Sequence, residues 1–245
     1  MAQGARGDRG AKEGGAGSGS GSLAVERVVQ LLETLAGAAR PMTIAELSQE
    51  LGLHRSIVYR YLRTLDRRRL VRSTPDGKYE PDVGLIPLAN SVSADLRTIA
   101  FGHLTELANE VGATAFLTQM DTDRTICLSA VEPQLSVAHV VYRPGSYGPP
   151  DQGAPAVAIL SGNDEQPDEP ERVIIAREAG YAHSAGALVA GVESIACPLR
   201  PTKAPATISV AVLFPVNSQD LDVVVRAVRR TADSITELIK ANDRL

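Results

Sequence analysis

Apolar residues near the N-terminus recur at the spacing of amphipathic helices. The first run covers residues 23–36 and stops at Gly37, which predicts one helix. Thr43 and Glu46 have the spacing of a capping box, in which the side chain of each residue accepts a hydrogen bond from the backbone N–H of the other. A second, short helix is therefore expected to begin after Thr43 and to stop at Gly52.

A third helical run differs from the first two because its outward face is polar and basic. It follows a corner at residues 52–54, and its inward stripe consists of Val58, Leu62 and Leu65. The opposite face presents Ser56, Tyr59, Arg60 and Arg63. A hairpin follows at residues 70–80, because its central Asp-Gly step tolerates the positive φ of a tight turn. Three helices and a hairpin in this order predict a winged helix-turn-helix.

The remaining pattern predicts helices that lead into a mixed sheet. Residues 85–112 contain one or two helices that end at Gly112, and they are interpreted as a linker. Further strands are expected at 113–120, 125–131, 137–142, 194–199 and 208–214, and further helices at 154–160, 171–179 and 220–244. The chain is therefore expected to be of the α+β class. Its parts are a disordered Gly/Ser-rich tail at 1–22, a winged helix-turn-helix at 23–84, the helical linker at 85–112 and a sheet domain at 113–245.

The charge is unevenly distributed along the chain. The formal net charge is −4, yet residues 55–78 carry eight Lys or Arg against two Asp or Glu. From residue 91 onward the balance reverses, with 12 basic against 19 acidic residues. The basic segment coincides with the third helix and the hairpin, so this surface is the candidate contact for nucleic acid. A merely solvated basic face is the alternative, and the order of the surrounding elements argues against it.

Within the basic segment the expected roles follow from position. An α-helix fits the major groove, where an arginine can bond two guanine acceptors, so Arg60 and Arg63 are the candidates for reading bases. Ser56 and Tyr59 share their face, and Arg55 lies beside it. Five cations near the end of the helix and on the hairpin are assigned to phosphate contacts, which give affinity without sequence information: Arg67, Arg68, Arg69, Arg72 and Lys78.

Several runs of the chain resemble a known protein family. The most specific is Ser-Ile-Val-Tyr-Arg-Tyr-Leu-Arg-Thr-Leu at 56–65; the others lie at 24–32, 44–47, 51–53, 150–160, 180–182 and 191–198. Together they resemble the IclR-type bacterial transcription regulators, over most of residues 23–245. The resemblance implies a GAF-like effector domain with a mixed α/β sheet and no catalysis. It also implies homodimers that form through the DNA-binding half, often as dimers of dimers. These bind an operator in double-stranded DNA, more commonly as repressors. A small organic acid or an aromatic effector controls whether they hold or release the operator.

The resemblance also assigns an effector pocket by position. Its expected residues are Gly153, Ala154 and Pro155 at a loop and helix start, Ser184 on a strand, Cys197 with Pro198, and Ser209 with Ala211. Such pockets are mostly apolar with few polar groups. The chain departs from the family's usual residues at 151–153, at 156–157 and at Ser184, so the class of effector stays open.

Enzymatic and metal-binding alternatives find little support in the sequence. A GAF-like redox enzyme would need an activated thiolate, but Cys127 and Cys197 each lie in an apolar run without a basic neighbour. The histidines, His54, His103, His139 and His183, show no metal-ligand spacing. We therefore expect no catalytic residues, no cofactor and no metal.

Location and partners complete the expectation. No run approaches the roughly 18 apolar residues of a membrane span, and residues 1–22 lack the apolar core of a signal peptide, so a cytoplasmic protein without membrane contacts is expected. A protein-interaction module that binds DNA only incidentally is the remaining alternative, since the second half is acidic.

Overall fold

The computed structural model describes residues 22–136, 139–201 and 204–242, so that all but Ser22 of the expected tail lies outside the described residues. The helices are α1 Leu23–Gly37, α2 Ile44–Glu50, α3 Arg55–Arg67, α4 Leu85–Ser91, α5 Ala94–Val111, α6 Gly153–Ser161, α7 Glu171–Ala179 and α8 Leu221–Asn242. The strands are β1 Val71–Ser73, β2 Tyr79–Pro81, β3 Thr114–Met120, β4 Thr125–Val131, β5 Tyr147–Gly148, β6 Ala182–Ala185, β7 Val192–Pro198 and β8 Ile208–Pro215. The chain divides into two compact units, residues 1–92 and 93–245.

The first unit has the three helices and the hairpin that the pattern predicted. Thr43 and Glu46 form the expected capping box at α2: the Glu46 N–H donates to Thr43 Oγ1 over 3.2 Å, and the Thr43 N–H donates to Glu46 Oε2 over 2.7 Å. The apolar faces of the three helices meet in one core, which holds Leu31, Leu47, Val58, Leu62 and Leu65. Each of these side chains is at most 5% exposed, so α3 is anchored by one face only.

The hairpin closes on the turn that the sequence indicated. Strands β1 and β2 pair antiparallel, and Gly77 in the turn adopts a φ of +76°. Met42, between α1 and α2, exchanges two backbone hydrogen bonds with Tyr79, over 2.9 and 2.7 Å. The hairpin is therefore fixed to the helices through the backbone as well as through its buried Val71.

A tight backbone approach at Gly84 gives a test of this packing. The Gly84 N–H donates to the Arg69 carbonyl over 2.8 Å, and a Cβ added to Gly84 would lie 2.5 Å from that oxygen. Because the atoms in the way are backbone, Gly84→Ala is expected to destabilise the first unit by about 1–3 kcal/mol. Gly37→Ala is the matched control in the same unit, since nothing lies within 4 Å of its Cβ position. Urea denaturation followed by circular dichroism measures both, and equal midpoints would contradict this packing argument.

The second unit is a six-stranded antiparallel sheet with helices on both faces. The strand order is β5-β4-β3-β8-β7-β6. One face packs against α5 and α8, with Leu104, Val212 and Ile235 among the fully buried residues between them. The other face packs against α6 and α7, where Phe116, Ala211 and Val173 are buried. Alternate residues of each central strand therefore enter different cores, as the two-residue period of a strand requires.

Two expectations of the sequence pattern differ from the structure. The expected linker contributes to both units, because α4 belongs to the first unit whereas α5 supplies Leu104 and its apolar neighbours to the core of the second. The strand expected at 137–142 does not form in its described part, residues 139–142, and positions 137 and 138 lie outside the described residues. The edge beside β4 is occupied instead by the short β5, where Gly148 pairs with Thr125 and a Cβ would meet the Thr125 hydroxyl at 2.8 Å. The pattern also gave no separate strand for β6.

Candidate nucleic-acid interface and ligand cavity

The outward face of α3 is the first candidate site. Ser56, Tyr59, Arg60 and Arg63 are all exposed on it, whereas the inward stripe of the same helix is buried. The Arg63 guanidinium lies 5.9 Å from the centre of the Tyr59 ring, within the range of a cation–π contact. The structure therefore brings together the four side chains that the helical period placed on one face.

The N-terminus of α3 is closed by a histidine cap. His54 Nδ1 accepts the Ser56 N–H over 3.3 Å and lies 2.8 Å from the Ser56 hydroxyl. Arg55 beside it is exposed. This cap stabilises the first turn of α3 and thereby fixes where the exposed face begins.

The cations around this face fall into two groups. Three of them form ion pairs: Arg69 with Asp82 over 2.9 Å, Arg72 with Glu80 over 2.5 Å, and Lys78 with Asp76 over 2.6 Å. Among the residues that the structure describes, no ion pair involves Arg55, Arg60, Arg63, Arg67 or Arg68. These five arginines can bind a phosphate or a base without first breaking an ion pair with a carboxylate.

The Arg69 pair is more than a surface contact. The side chain of Asp82 is only 7% exposed, and its pKa is lowered by the Val83 backbone N–H and by Arg69. Arg69 also adopts a positive φ of 61° and accepts the Gly84 N–H, so its backbone and side chain both hold the turn after α3. Arg72 and Lys78, in contrast, are paired within the hairpin, where exposed ion pairs contribute about 0–1 kcal/mol.

The second candidate site is a cavity of about 150 Å³ in the second unit. It lies on the side of the sheet that carries α6, and it is lined by the four expected residues Gly153, Ala154, Pro155 and Ser184. The Ser184 hydroxyl accepts the Ala154 N–H over 3.0 Å, which ties β6 to the start of α6. The start of α6 and the middle of β6 therefore form one wall.

Two expected pocket residues lie elsewhere. Cys197 faces the other side of the sheet, in the core beside α8, because its neighbour Ala196 takes the face toward α6. Ser209 does face α6 but is fully buried, with its hydroxyl donating to the Pro155 carbonyl over 3.1 Å beneath the cavity wall. Ala211 is fully buried in the same layer. Neither Cys197 nor Ser209 lines the cavity.

Other cavity residues were not indicated by the sequence. Phe116 and Tyr142 form an aromatic wall, with ring centroids 4.7 Å apart. The loop between β6 and β7 forms the rim with Ala187, Leu188 and Val189. The apolar residues around 140–142 have the pattern of a strand. The sequence therefore does not indicate that they line a cavity.

The buried cysteines have the properties of core residues. Cys127 and Cys197 are 2% and 3% exposed, and burial raises the pKa of each thiol to about 12. A thiol with that pKa is protonated at neutral pH and is a poor nucleophile. This supports the expectation that the cysteines are structural.

Two of the histidines each pair with a single acidic side chain. His183 Nε2 lies 2.7 Å from a carboxylate oxygen of Glu193, and His139 Nε2 lies 2.7 Å from one of Glu132. In the described part of the chain, no group of three or more His, Cys, Asp or Glu side chains is placed to hold a metal ion. Likewise, none of the described helices is long and apolar enough to cross a membrane.

Comparison with known proteins shows what the first unit is similar to. The sequence model of the IclR helix-turn-helix domain matches residues 24–75, from α1 to the turn of the hairpin. A stretch of 115 residues is 30% identical to the HTH-type transcriptional regulator XynR of Escherichia coli (strain K12), and it covers 46% of each chain. Residues 24–75 are therefore similar to the helix-turn-helix domain of the IclR-type transcription regulators. In sequence, the chain spans about half the length of the curated relatives it matches.

Solved structures match nearly the whole fold of this chain. The IclR transcriptional regulator of Alicyclobacillus acidocaldarius is 23% identical, with 87% of this chain and 97% of that chain covered and a TM-score of 0.76. An IclR homologue of Microbacterium hydrocarbonoxydans, solved in complex with 4-hydroxybenzoate, is 19% identical, with coverages of 89% and 99% and a TM-score of 0.77. These matches confirm the expected α+β fold. The curated relatives are named as transcriptional regulators and not as enzymes.

Proposed function

We propose that this protein is a ligand-responsive, sequence-specific DNA-binding transcription regulator, and more specifically a repressor. The observation that carries the proposal is the exposed face of α3, on which Arg60 and Arg63 stand outside any ion pair of the described residues. A helix held by its opposite face, beside a hairpin with further cations, has the arrangement that places side chains in the major groove.

The cations have different roles in DNA binding. Arg60 and Arg63 lie in the middle of the exposed face, so they reach base edges when α3 enters the groove. Arg67 and Arg68 follow at the end of the helix, and they contact phosphates together with Arg55 at its start. Arg72 and Lys78 contribute phosphate contacts after exchanging their hairpin carboxylates, whereas Arg69 mainly holds the turn that leads to β1.

A homodimer is the form in which the protein binds DNA. The first unit exposes large apolar side chains on two helices: Leu23, Val25 and Val29 on α1 are 58, 61 and 47% exposed, and Ile86 and Leu88 on α4 are 56 and 58% exposed. Large apolar side chains left exposed on two helices of one unit are candidates for an interaction surface. We assign it to a second copy of this chain, since a repeated site on DNA needs two recognition helices.

The cavity of the second unit holds the effector. Its apolar lining and few polar groups suit a small organic molecule. The structural relative from Microbacterium hydrocarbonoxydans, solved in complex with 4-hydroxybenzoate, supports a small-molecule effector in a domain of this fold. Because its target is the operator DNA, the protein works in the bacterial cytoplasm.

Selection of binding sites from a random library of DNA duplexes tests this proposal. We expect enrichment of a symmetric or repeated sequence whose half-sites lie about 10 base pairs, or a multiple of that, apart, because two recognition helices of a dimer enter successive turns of the major groove. The measurement is sequencing of the duplexes retained by the full chain at about 150 mM salt.

The control is the same selection with a chain in which Arg60 and Arg63 are both replaced by alanine. The enriched sequence should disappear with this variant while weak, salt-sensitive retention persists. If the unaltered chain retains duplexes without enriching any sequence, a protein-interaction module that binds DNA incidentally becomes the better account.

A further inference from the structure

The ligand cavity has an unusual electrostatic character for a site in an acidic domain. Of the described residues that line it, none has a charged side chain. His183 and Glu193 are close in sequence to the cavity residues Ser184 and Ser194, but they pair with each other over 2.7 Å. Because neighbouring residues of a strand point to opposite faces, this pair lies on the other side of the sheet. The described lining of the cavity therefore offers no fixed charge to balance a charged ligand.

The start of α6 does not supply the missing positive charge. A helix N-terminus attracts anions mainly through its unsatisfied N–H groups. Here the Ala154 N–H is donated to the Ser184 hydroxyl over 3.0 Å, and Pro155 has no N–H at all. Asp151 lies two residues before the helix and carries a negative charge of its own. An anionic group at this wall would find few donors.

Desolvation in the cavity also disfavours negative charge. Tyr142 lines the cavity, and burial raises the pKa of its phenol to about 12. The medium that opposes the phenolate opposes a buried carboxylate in the same way.

The polar groups that remain suit one neutral hydroxyl or amide. The Ser194 hydroxyl is already donated to the Val212 carbonyl over 2.8 Å. The Ser184 oxygen accepts the Ala154 N–H, which leaves its proton available to a ligand, and the described residues provide no hydrogen-bond partner for the Tyr142 hydroxyl. In volume, a cavity of about 150 Å³ holds one benzene-sized molecule. Size and polarity thus point to the same kind of ligand.

We infer that the effector is an uncharged molecule with the size of a single aromatic ring, such as a simple phenol, and not an organic acid. The inference rests on the proposed function, because it names the class of ligand for the same cavity. The hydroxyl of such a ligand bonds to Ser184 or Tyr142, and its ring packs against Phe116 and Leu213.

Titration calorimetry of the full chain at pH 7 compares three phenols that differ at one position. p-Cresol and 4-hydroxybenzamide are neutral, whereas 4-hydroxybenzoate has the size of the amide and carries a negative charge. We expect both neutral compounds to bind at least tenfold more tightly than 4-hydroxybenzoate. The amide separates charge from size, since it matches the acid in shape.

A charge-introducing variant supplies the second arm. Val189 lines the cavity at its rim and is 60% exposed, so Val189→Arg can add a guanidinium without disturbing a core. This variant is expected to strengthen binding of 4-hydroxybenzoate at least tenfold. Ile175→Arg on α7, where the side chain is 56% exposed and outside the cavity lining, changes the net charge equally and should leave all three affinities unchanged.

The outcomes separate the inference from the proposed function. If the unaltered chain binds 4-hydroxybenzoate as tightly as the amide, the effector is not selected for neutrality, and the inference fails while the cavity stands as the effector site. A failure of Val189→Arg to improve binding of the acid, or an equal improvement by Ile175→Arg, also overturns it. Binding of none of the three compounds overturns both the inference and the assignment of the cavity.

Discussion

Replacing Arg60 by alanine is expected to weaken binding to the selected operator by roughly 5- to 150-fold, with a much smaller loss on random DNA. The reason is geometric: Arg60 lies on the exposed face of α3, opposite Leu62, which is fully buried. An arginine that bonds a guanine in two places contributes about 1–3 kcal/mol of discrimination between bases. Fluorescence anisotropy with labelled operator and scrambled duplexes gives both affinities.

Arg68→Ala is the matched control for the loss of charge. Arg68 is exposed and takes part in none of the ion pairs of the described residues. The substitution therefore removes one cation from the proposed DNA-binding surface and leaves no carboxylate without its partner. We expect it to weaken operator and scrambled DNA alike and to reduce the slope of log affinity against log salt by about one. Equal losses on both duplexes for Arg60→Ala would remove the base-reading assignment, although not the winged-helix fold. Circular dichroism should show both variants folded, because exposed substitutions usually change stability by less than about 0.5 kcal/mol.

Filling the ligand cavity is expected to abolish the response to the effector while leaving DNA binding intact. Ala187 lines the cavity from the loop between β6 and β7 and is itself exposed, so Ala187→Trp can place an indole in the cavity without strain in the sheet. A ring of that size occupies most of a volume of about 150 Å³. The affinity for the best-binding phenol should fall at least a hundredfold.

Ala190→Trp provides the comparison, since Ala190 is exposed on the same loop but does not line the cavity. It should retain the affinity of the unaltered chain. The measurements are calorimetry for the ligand and anisotropy for release of the operator when ligand is added. A normal response in Ala187→Trp would place the effector at another part of the second unit.

The exposed face of α3 was predictable because the signals that define it are local. A helical period of 3.6 residues places Val58 and Leu62 inward and Arg60 and Arg63 outward, whatever the rest of the chain does. The capping box at Thr43 and the turn at Gly77 are also set within a few residues, and both formed as predicted. The sequence could not indicate which cations are paired, because Arg69 meets Asp82 thirteen positions away through a turn held by Gly84.

The ligand cavity was only partly predictable. Four of the residues that the resemblance assigned to an effector pocket line the cavity, namely Gly153, Ala154, Pro155 and Ser184. Cys197 does not line it, because successive residues of a strand point to opposite faces of the sheet: Ala196 lies on the cavity side, and Cys197 lies in the core beside α8. Ser209 has the right face but lies beneath the wall, bonded to Pro155.

By itself, then, the sequence determined the helices of the first unit, the exposed face of α3 and the longer strands and helices of the second unit, all of which depend on periodicity and capping within a short segment. Only the tertiary structure decided that 139–142 packs at the cavity instead of joining the sheet, that the β6–β7 loop forms its rim, and that the described residues lining it are all uncharged. Those features require segments 25 to 100 positions apart to meet, as Phe116, Tyr142 and Leu213 do, and such contacts are set by the packing of the whole unit, which no local pattern encodes.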